Sequence, residues 1–305
     1  MDHEKVPFCK LPENPEEHIA RLRMRGLVIE DEQRIARYLK FIGYYRLGGY
    51  CRAFQEPGDL EHTFKKNITF QNILDLYIFD RKLRLHMMDA LERIEVAVRS
   101  VINDHMSLKY GSQWYVDSRH FQREGKFNHS DFMSMVKKET GYNSNSTGPV
   151  FCRHYYETYC DPLLPPSWMV AEVLPLGAWS RIYSALTEPK DRKAISNTFK
   201  VRYELFGSWL YALSYLRNRC AHHSLLWNLR FVVTPKMTHE FRVVVENDRF
   251  FAHTVVVQQF LKAITTNATW LTTLIENHLN TCPIQPYEKE MGFIKGWEKL
   301  PFMAP

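Results

Sequence analysis

The chain has 305 residues, of which 45% are hydrophobic and 24% are charged, and its formal net charge is +6 at pH 7. This is the composition of an ordinary globular protein, so a wholly disordered chain is excluded, and the length allows one large domain or two modest ones with a buried core. No run of about 18 uncharged apolar residues occurs, which argues against a membrane span.

The first 110 residues contain four stretches with apolar residues at helical spacing or with clear helix breakers at their ends: Pro15–Arg25, Glu30–Gly43, Tyr44–Phe54 and Thr69–Tyr110. The third stretch is aromatic and glycine-rich, which indicates a packed turn followed by a short helix. The fourth contains no proline or glycine, and its apolar residues recur at steps of three, four or seven. It predicts one unusually long helix, which we expect to bend or break once.

Further helices are expected at Phe121–Lys138, Trp168–Leu186 with a break at Pro175, Lys190–Thr198, Arg202–Leu216 and Asp248–Asn280. The segments FVVTP (231–235) and FRVVV (241–245) predict a small β-hairpin. The fold class is therefore expected to be all-α, a helical bundle with elongated helices. We expect an N-terminal helical segment (1–60), a helical domain (61–282) and a C-terminal tail (283–305).

The cysteines and the first residues predict a cytoplasmic protein. Six cysteines are scattered along the chain without a CxxC pair, a spacing that favours a reducing compartment over a disulfide framework or a zinc site. The opening MDHEKVPFCKLPENPEE lacks the basic-then-apolar order of a secretory signal. Cys220, His222 and His223 are close in sequence, but no acidic or cysteine partner lies at ligand spacing nearby, so we expect no metal and no cofactor.

Positive charge is concentrated between Lys190 and Arg230, where there are eight basic and two acidic residues, and a second basic cluster lies at His18–Arg25. Such clusters favour a polyanionic partner such as nucleic acid, although a solvated helix face explains them equally well. The candidate contacts with nucleic acid are Lys193, Lys200, Arg202, Arg219, Trp227 and Asn228. Other aromatic residues could stack on bases, but core packing is favoured for most of them: Tyr44, Tyr45, Tyr50, Trp168, Trp179 and Trp209.

Three charged residues of the long helix project close to its apolar stripe: Asp80, Arg84 and Glu95. Charges on a buried face are costly unless they are paired. Asp80 with Arg84, and Glu95 with Arg99, have the i,i+4 spacing that allows pairing. A buried network that sets the helix register explains them. The alternative is that these four residues are auxiliary groups of a polar site between helices, where bundles commonly build sites.

The stretch YLRNRCAHHSLLWN (215–228) gathers two arginines, an asparagine and two adjacent histidines at the end of an apolar helix. Arg217, Asn218 and His222 form the pattern R-N-x-x-x-H. These residue types suit cleavage of a phosphodiester, because an imidazole can move a proton near neutral pH and a guanidinium can hold a phosphate. On a continuous helix Arg217 and His222 are about 140° apart, so they share a site only if the helix ends nearby or a second subunit contributes its own motif. The pattern alone is weak, and the two histidines also suit a helix C-terminal cap.

Four segments resemble, in order, the abortive-infection (Abi-like, AbiD/AbiF) family of bacterial anti-phage proteins, which belongs to the HEPN superfamily. They are LRMRGLVIEDEQRIARYLKFIGYYRLGGY, LYIFDRKLRLHMMDALERIEVAVRS, PPSWMVAEVLPLGAWSRIY and SWLYALSYLRNRCAHHSLLWN, and they cover most of residues 18–230. The resemblance implies a HEPN helical bundle and a metal-independent endoribonuclease, with Arg217, Asn218 and His222 as the catalytic motif. His223 is the neighbour that could replace His222.

The resemblance also implies partners. HEPN nucleases usually build one composite site from two motifs, and this chain has one good copy, so a homodimer is expected. RNA is implied as the substrate, and a small noncoding RNA as a regulator. Two alternatives stay open: a catalytically silent RNA-binding scaffold, and a toxin neutralised by a separate antitoxin.

Overall fold

The computed structural model describes residues 7, 9, 11–122, 127–143, 148–238, 241, 245–266 and 269–303. Within these residues the regular structure is helical, with isolated β-bridges but no strand or sheet. The expected all-α class is therefore confirmed. The chain separates into two compact units, Met1–Lys82 with Thr281–Gln285, and Leu83–Asn280 with Pro286–Pro305. No helix in the described part of the chain is long and apolar enough to cross a membrane.

The first unit contains α1 (Pro15–Met24), α2 (Glu32–Ile42), α3 (Tyr44–Cys51) and the start of α4 (Phe70–Tyr110). Helix α1 begins with a capping box, in which Asn14 and Glu17 each accept a hydrogen bond from the other's backbone N–H. Helix α2 ends at Gly43, whose φ of 93° favours glycine because a side chain would be strained there. Three short helices are thus separated by residues suited to helix ends.

Helix α4 is a single helix of 41 residues, so of the two expected alternatives, a bend or a break, the break is wrong. Its apolar stripe is fully buried at Ile73, Leu76, Leu83, Met87, Leu91, Ile94 and Val98. Because no proline or glycine interrupts the segment, every backbone N–H in its interior can bond within the helix. The continuous stripe leaves no position where the helix would gain by breaking.

Among its described residues, the second unit contains the rest of α4 and nine further α-helices: α5 (His129–Thr140), α6 (Val150–Thr158), α7 (Ser167–Val173), α8 (Leu176–Ala185), α9 (Pro189–Thr198), α10 (Tyr203–Ala221), α11 (Phe250–Ile264), α12 (Thr269–Thr273) and α13 (Glu288–Met291). Phe206 of α10 is fully buried in its core. The Phe206 ring centroid lies 4.7 Å from that of Tyr183 on α8 and 5.4 Å from that of Phe260 on α11. Helix α10 is therefore fixed from both sides, which makes its C-terminal end a rigid place for a site.

A buried carboxylate ties α9 to the end of α4. Asp191 is 2% exposed, and its Oδ1 lies 2.8 Å from His105 Nε2 and 2.6 Å from Lys109 Nζ, while its Oδ2 accepts a hydrogen bond from the Tyr110 hydroxyl at 2.7 Å. Burial alone would raise the pKa of Asp191, but the hydrogen bonds from Lys109, Tyr110 and His105 outweigh it and lower the pKa. This network gives α9, which carries part of the basic cluster, a defined position on α4.

The prediction of a β-hairpin is wrong for its first segment. Residues 231–235 form no strand, and residues 242–244 of the second segment lie outside the described residues. Phe231 is buried whereas Val232 is 88% exposed, and the Phe231 ring lies 4.0 Å from that of His253 on α11. This apolar run is therefore part of an irregular segment that packs on a helix.

The predicted final helix over 248–280 is also wrong in its extent. Helix α11 ends at Ile264 and α12 begins at Thr269. Asp248 does not cap α11, because Arg249 occupies the N-cap position and Asp248 pairs instead with Arg230 at 2.6 Å.

Candidate functional site

The R-N-x-x-x-H motif lies at the C-terminal end of α10. The apolar face of this helix is buried through Phe206, Trp209, Leu210, Leu213, Leu216 and Cys220. Arg217 is half-buried and Asn218 is exposed. The helix thus carries the start of the motif on the side that does not enter the core, as expected from the 3.6-residue period.

The helix ends within the motif. His222 is the C-cap residue, and its N–H donates to the Asn218 carbonyl at 2.9 Å. His223 N–H donates to the Cys220 carbonyl at 3.1 Å, and Ser224 N–H donates to the Arg219 carbonyl at 2.8 Å. These two bonds form a Schellman closure, which satisfies carbonyls that the helix would otherwise leave unpaired. The closure leaves both imidazoles exposed at the negative end of the helix dipole, where positive charge is favoured.

His223 occupies a backbone position that usually belongs to glycine. Its φ is 56°, and it is the residue that follows the C-cap in the Schellman closure. A Cβ atom in this left-handed conformation costs roughly 1–2 kcal/mol. A histidine held there at an energetic cost is an observation that favours a functional role for the side chain.

Two variants isolate this backbone cost. We expect His223→Gly to have a free energy of unfolding about 1 kcal/mol higher than His223→Ala. Both variants lack the imidazole, so they differ only in the Cβ atom at a positive φ. Denaturant unfolding of the two proteins measures the difference. Equal stabilities would show that the helix end relaxes and that position 223 is not held in the left-handed region.

Arg217 is anchored by a carboxylate from α4. Its Nε lies 3.4 Å from Glu95 Oε2, and the other oxygen, Glu95 Oε1, accepts a hydrogen bond from the Leu176 backbone N–H at 3.0 Å. The Arg217–Glu95 contact is an ion pair rather than a well-formed hydrogen bond, since Arg217 Nε has no hydrogen-bond partner. The Glu95 side chain is 15% exposed and that of Arg217 is 34% exposed. A first-turn N–H of α8 therefore fixes the carboxylate, and the carboxylate positions one edge of the guanidinium.

The loop after α10 is tied down by arginines that the sequence placed among the candidate functional residues. Arg219 Nη2 donates to the Leu225 carbonyl at 3.0 Å, and Arg84, which is 4% exposed, donates to the Ser224 carbonyl at 3.4 Å. Each arginine thus satisfies a backbone carbonyl that leaves the helix. In the described part of the chain, Arg217 has no such carbonyl partner, so its Nη atoms are available to a ligand.

A protein-family model described as Abi-like protein matches residues 37–228. The chain belongs to this family. The match covers more than half of the chain, includes α4, α8 and α10, and ends at Asn228, just beyond the Schellman closure. Membership associates the protein with abortive-infection defence at the level of the family. No curated protein and no solved structure matches the chain.

In this Abi-like protein, Arg99 and Asp80 each have a partner outside the R-N-x-x-x-H motif. Arg99 pairs with Glu172 at 2.9 Å, so the expected Glu95–Arg99 pair is replaced by two pairs that reach across the fold. Asp80 is fully buried in the first unit, where it accepts a hydrogen bond from the Tyr50 hydroxyl at 2.7 Å. Among the auxiliary candidates, Glu95 pairs with Arg217 of the R-N-x-x-x-H motif.

The basic candidates lie around the junction of α9 and α10. Lys193, Lys200 and Arg202 are exposed, and Lys200 and Arg202 line one cleft with Trp209 and other residues. Arg202 is partly neutralised by Glu204 at 3.7 Å. These cations suit contacts with phosphates, which add affinity without reading base sequence.

The two candidates that follow the motif differ in exposure. Trp227 is 2% exposed, so its ring supports the loop from inside and does not face solvent. Asn228 is exposed, has a positive φ of 49°, and accepts a hydrogen bond from Arg249 Nη1 at 3.2 Å. Sequence reasoning did not find Leu176 or Glu172, because their roles depend on which helices pack together. No three His, Cys, Asp or Glu side chains in the described ranges are grouped so that they could hold a metal ion.

Proposed function

We propose that this Abi-like protein is a metal-independent endoribonuclease of the HEPN type, which acts in abortive-infection defence by cutting RNA. Its catalytic residues would be Arg217, Asn218 and His222. The observation that carries the proposal is the end of α10. There, two exposed imidazoles follow an arginine that is held by Glu95 and whose Nη atoms are available. This arrangement combines a proton-transfer group with a phosphate-binding group on a rigid helix end.

The chemistry needs few protein groups because RNA carries its own nucleophile. The ribose 2′-oxygen attacks the adjacent phosphorus, the bond to the 5′-oxygen breaks, and the 5′-oxygen leaves with a proton. His222 removes the 2′-hydroxyl proton or supplies the proton to the leaving oxygen, a role that typically contributes about 10²–10⁴-fold in rate. Arg217 stabilises the negative charge that develops on the phosphate oxygens. Asn218, adjacent to Arg217 and exposed, orients the substrate.

A complete site needs both a general base and a general acid. One chain supplies one copy of the motif, so the proposal includes a homodimer in which a second copy of the chain contributes the other imidazole. His223 is the local alternative, since it lies beside His222 at the same helix end. Light scattering on the active protein should give twice the mass of one chain. A strict monomer that still cleaves RNA would assign the second proton-transfer role to His223.

The basic residues Lys193, Lys200 and Arg202 would hold the RNA backbone beside α10. Their contacts with phosphates explain how the protein could engage RNA of many sequences. The same basic surface would also hold a noncoding RNA that regulates the activity.

The test is cleavage of a labelled RNA by the purified protein in the presence of EDTA. We expect cleavage to persist, with products that carry a 2′,3′-cyclic phosphate and a 5′-hydroxyl, because the attacking oxygen is the substrate's own. The matched control is the same oligonucleotide with 2′-O-methyl groups, which lacks the nucleophile and should stay intact. Tight RNA binding without cleavage, both alone and in extracts of phage-infected cells, would support the scaffold instead.

A further inference from the structure

We infer that α2 and the start of α3 carry a binding surface for single-stranded RNA, formed by Arg37, Lys40, Phe41 and Tyr45. We call this surface the α2 platform. It belongs to the first unit, whereas the R-N-x-x-x-H motif belongs to the second. The inference rests on the proposed function only in taking RNA as the ligand, and it does not depend on cleavage.

The charged residues of α2 and α3 between Gln33 and Gln55 are all basic. Between Gln33 and Gln55 there are no acidic residues and five basic ones: Arg34, Arg37, Lys40, Arg46 and Arg52. Arg37 and Lys40 are exposed, and no carboxylate of the described residues pairs with either. Two of the acidic residues before this run are engaged elsewhere, since Asp31 caps α2 and Glu32 pairs with Arg23. Arg37 and Lys40 therefore present uncompensated positive charge to a polyanion.

Two aromatic rings of the same segment are exposed to solvent. Phe41 is 75% exposed and Tyr45 is 97% exposed. Burying a phenylalanine side chain is worth about 1.5–3 kcal/mol, so a fold that leaves two large rings exposed four residues apart forgoes a substantial stabilisation. Exposed large rings that are close together in the sequence favour a binding surface.

Two cations lie beside the exposed Phe41 ring. Arg37 Cζ and Lys40 Nζ each lie 6.0 Å from the centroid of the Phe41 ring. Tyr44, beside the exposed Tyr45, is fixed in place because its ring stacks on His18 at 4.1 Å and its hydroxyl accepts a hydrogen bond from Arg25 Nη1 at 3.1 Å. A base stacked on Phe41 would place its phosphate near two cations.

This combination selects a single strand. Bases can stack on aromatic side chains only when they are not already stacked inside a duplex, and cations along the same surface hold the backbone. The carboxylates of an acidic peptide would pair with the cations, but they would make no use of the two exposed rings. Nucleic-acid bases would use them, because every base has a flat face that can stack on an aromatic ring. The observations therefore favour single-stranded RNA over a protein partner.

The experiment measures binding of the full-length protein to a fluorescein-labelled 2′-O-methyl oligouridine of about 15 nucleotides. This probe cannot be cut by the proposed reaction, so binding is measured apart from cleavage. We expect Phe41→Ala and Tyr45→Ala each to weaken binding about 10-fold without changing its salt dependence, because stacking releases no counterions. Arg37→Ala and Lys40→Ala should each reduce the slope of log affinity against log salt by about 0.7.

Matched controls are Leu60→Ala, which removes a side chain that is 89% exposed in the same unit, and Lys66→Ala, which removes an exposed cation there. Both should bind the probe as the unchanged protein does. All of the substituted side chains are exposed, and circular dichroism checks that each variant stays folded.

Wild-type affinity and wild-type salt slope in the platform variants would overturn the inference, even if the protein cleaves RNA through His222. Platform variants that bind RNA normally but lose a co-purifying protein would also overturn it and would assign the surface to that protein. If the probe binds through the platform but no natural RNA is cut, the inference holds and the nuclease proposal fails.

Discussion

His222→Ala and Arg217→Ala are each expected to lower the rate of RNA cleavage by about 10²–10⁴-fold while the protein stays folded. His222 is exposed, and the hydrogen bond that caps α10 comes from its backbone, so removal of the imidazole does not disturb the Schellman closure. Arg217→Lys should fail as well, because an ammonium group does not offer the planar fork that binds a phosphate through two donors. Single-turnover cleavage and survival of phage-challenged cells measure the effect.

Two controls separate a lost catalytic group from a general loss of charge. Arg99→Ala removes an arginine of α4 that pairs with Glu172, and His154→Ala removes an exposed histidine of α6. Both variants should cleave RNA at close to the unchanged rate. Phage protection by a well-folded His222→Ala, His223→Ala double variant would contradict the nuclease proposal, and the double variant is needed because either imidazole could act.

The sequence predicted the helices well where a strong apolar period coincided with clear breakers. Helix α4 follows from its stripe, and the division between α7 and α8 follows from Pro175. It predicted less well where packing between distant segments decides the structure. The stretch that begins at Phe231 has the aromatic and β-branched residues of a strand, but it forms an irregular segment in which Phe231 packs against His253.

The motif itself could be found from the sequence, but its geometry could not. The end of α10 is closed by His223 in a conformation that favours glycine, so no residue in the sequence signalled the Schellman closure. The partner of Glu95 could not be predicted either. Local spacing offered Arg99, whereas the tertiary fold brings Arg217 to Glu95.

The α2 platform shows a different limit of sequence reasoning. The acid-free run from Gln33 to Gln55 is visible in the sequence, but the segment 190–230 contains more basic residues. Core packing was expected for most aromatic residues, which is correct for Tyr50, Trp179 and Trp209 but wrong for Tyr45 and Trp168. Composition does not show which of several neighbouring tyrosines faces solvent, because that depends on how α3 is turned after Gly43.

Lowering the pH from 7 to 5 is expected to destabilise the second unit, because two histidines are held there in the neutral form. His253 is fully buried in α11, and burial lowers its pKa to about 4. Burial, together with the nearby His278, lowers the pKa of His86 to about 4, and its ring stacks on Trp270. The ordinary pKa of histidine is 6.5. As the pH falls, these histidines are therefore protonated in the unfolded chain before they are protonated in the folded chain. The stabilisation is complete above about pH 6.5 and is lost as the pH falls towards 4.

For His253 the loss at pH 5 is on the order of 2 kcal/mol, and it is smaller for the less buried His86. Denaturant unfolding at pH 7 and pH 5 measures the total. His253→Gln cannot titrate, so the difference between the two pH values should shrink, whereas His154→Gln, at an exposed position, should leave it unchanged. The pKa of Asp117 lies well below its usual range because Arg119 donates hydrogen bonds to it, so that carboxylate titrates below this window. A free energy of unfolding that stays constant from pH 7 to pH 5 would show that the imidazole of His253 reaches water, which would contradict its position in the core.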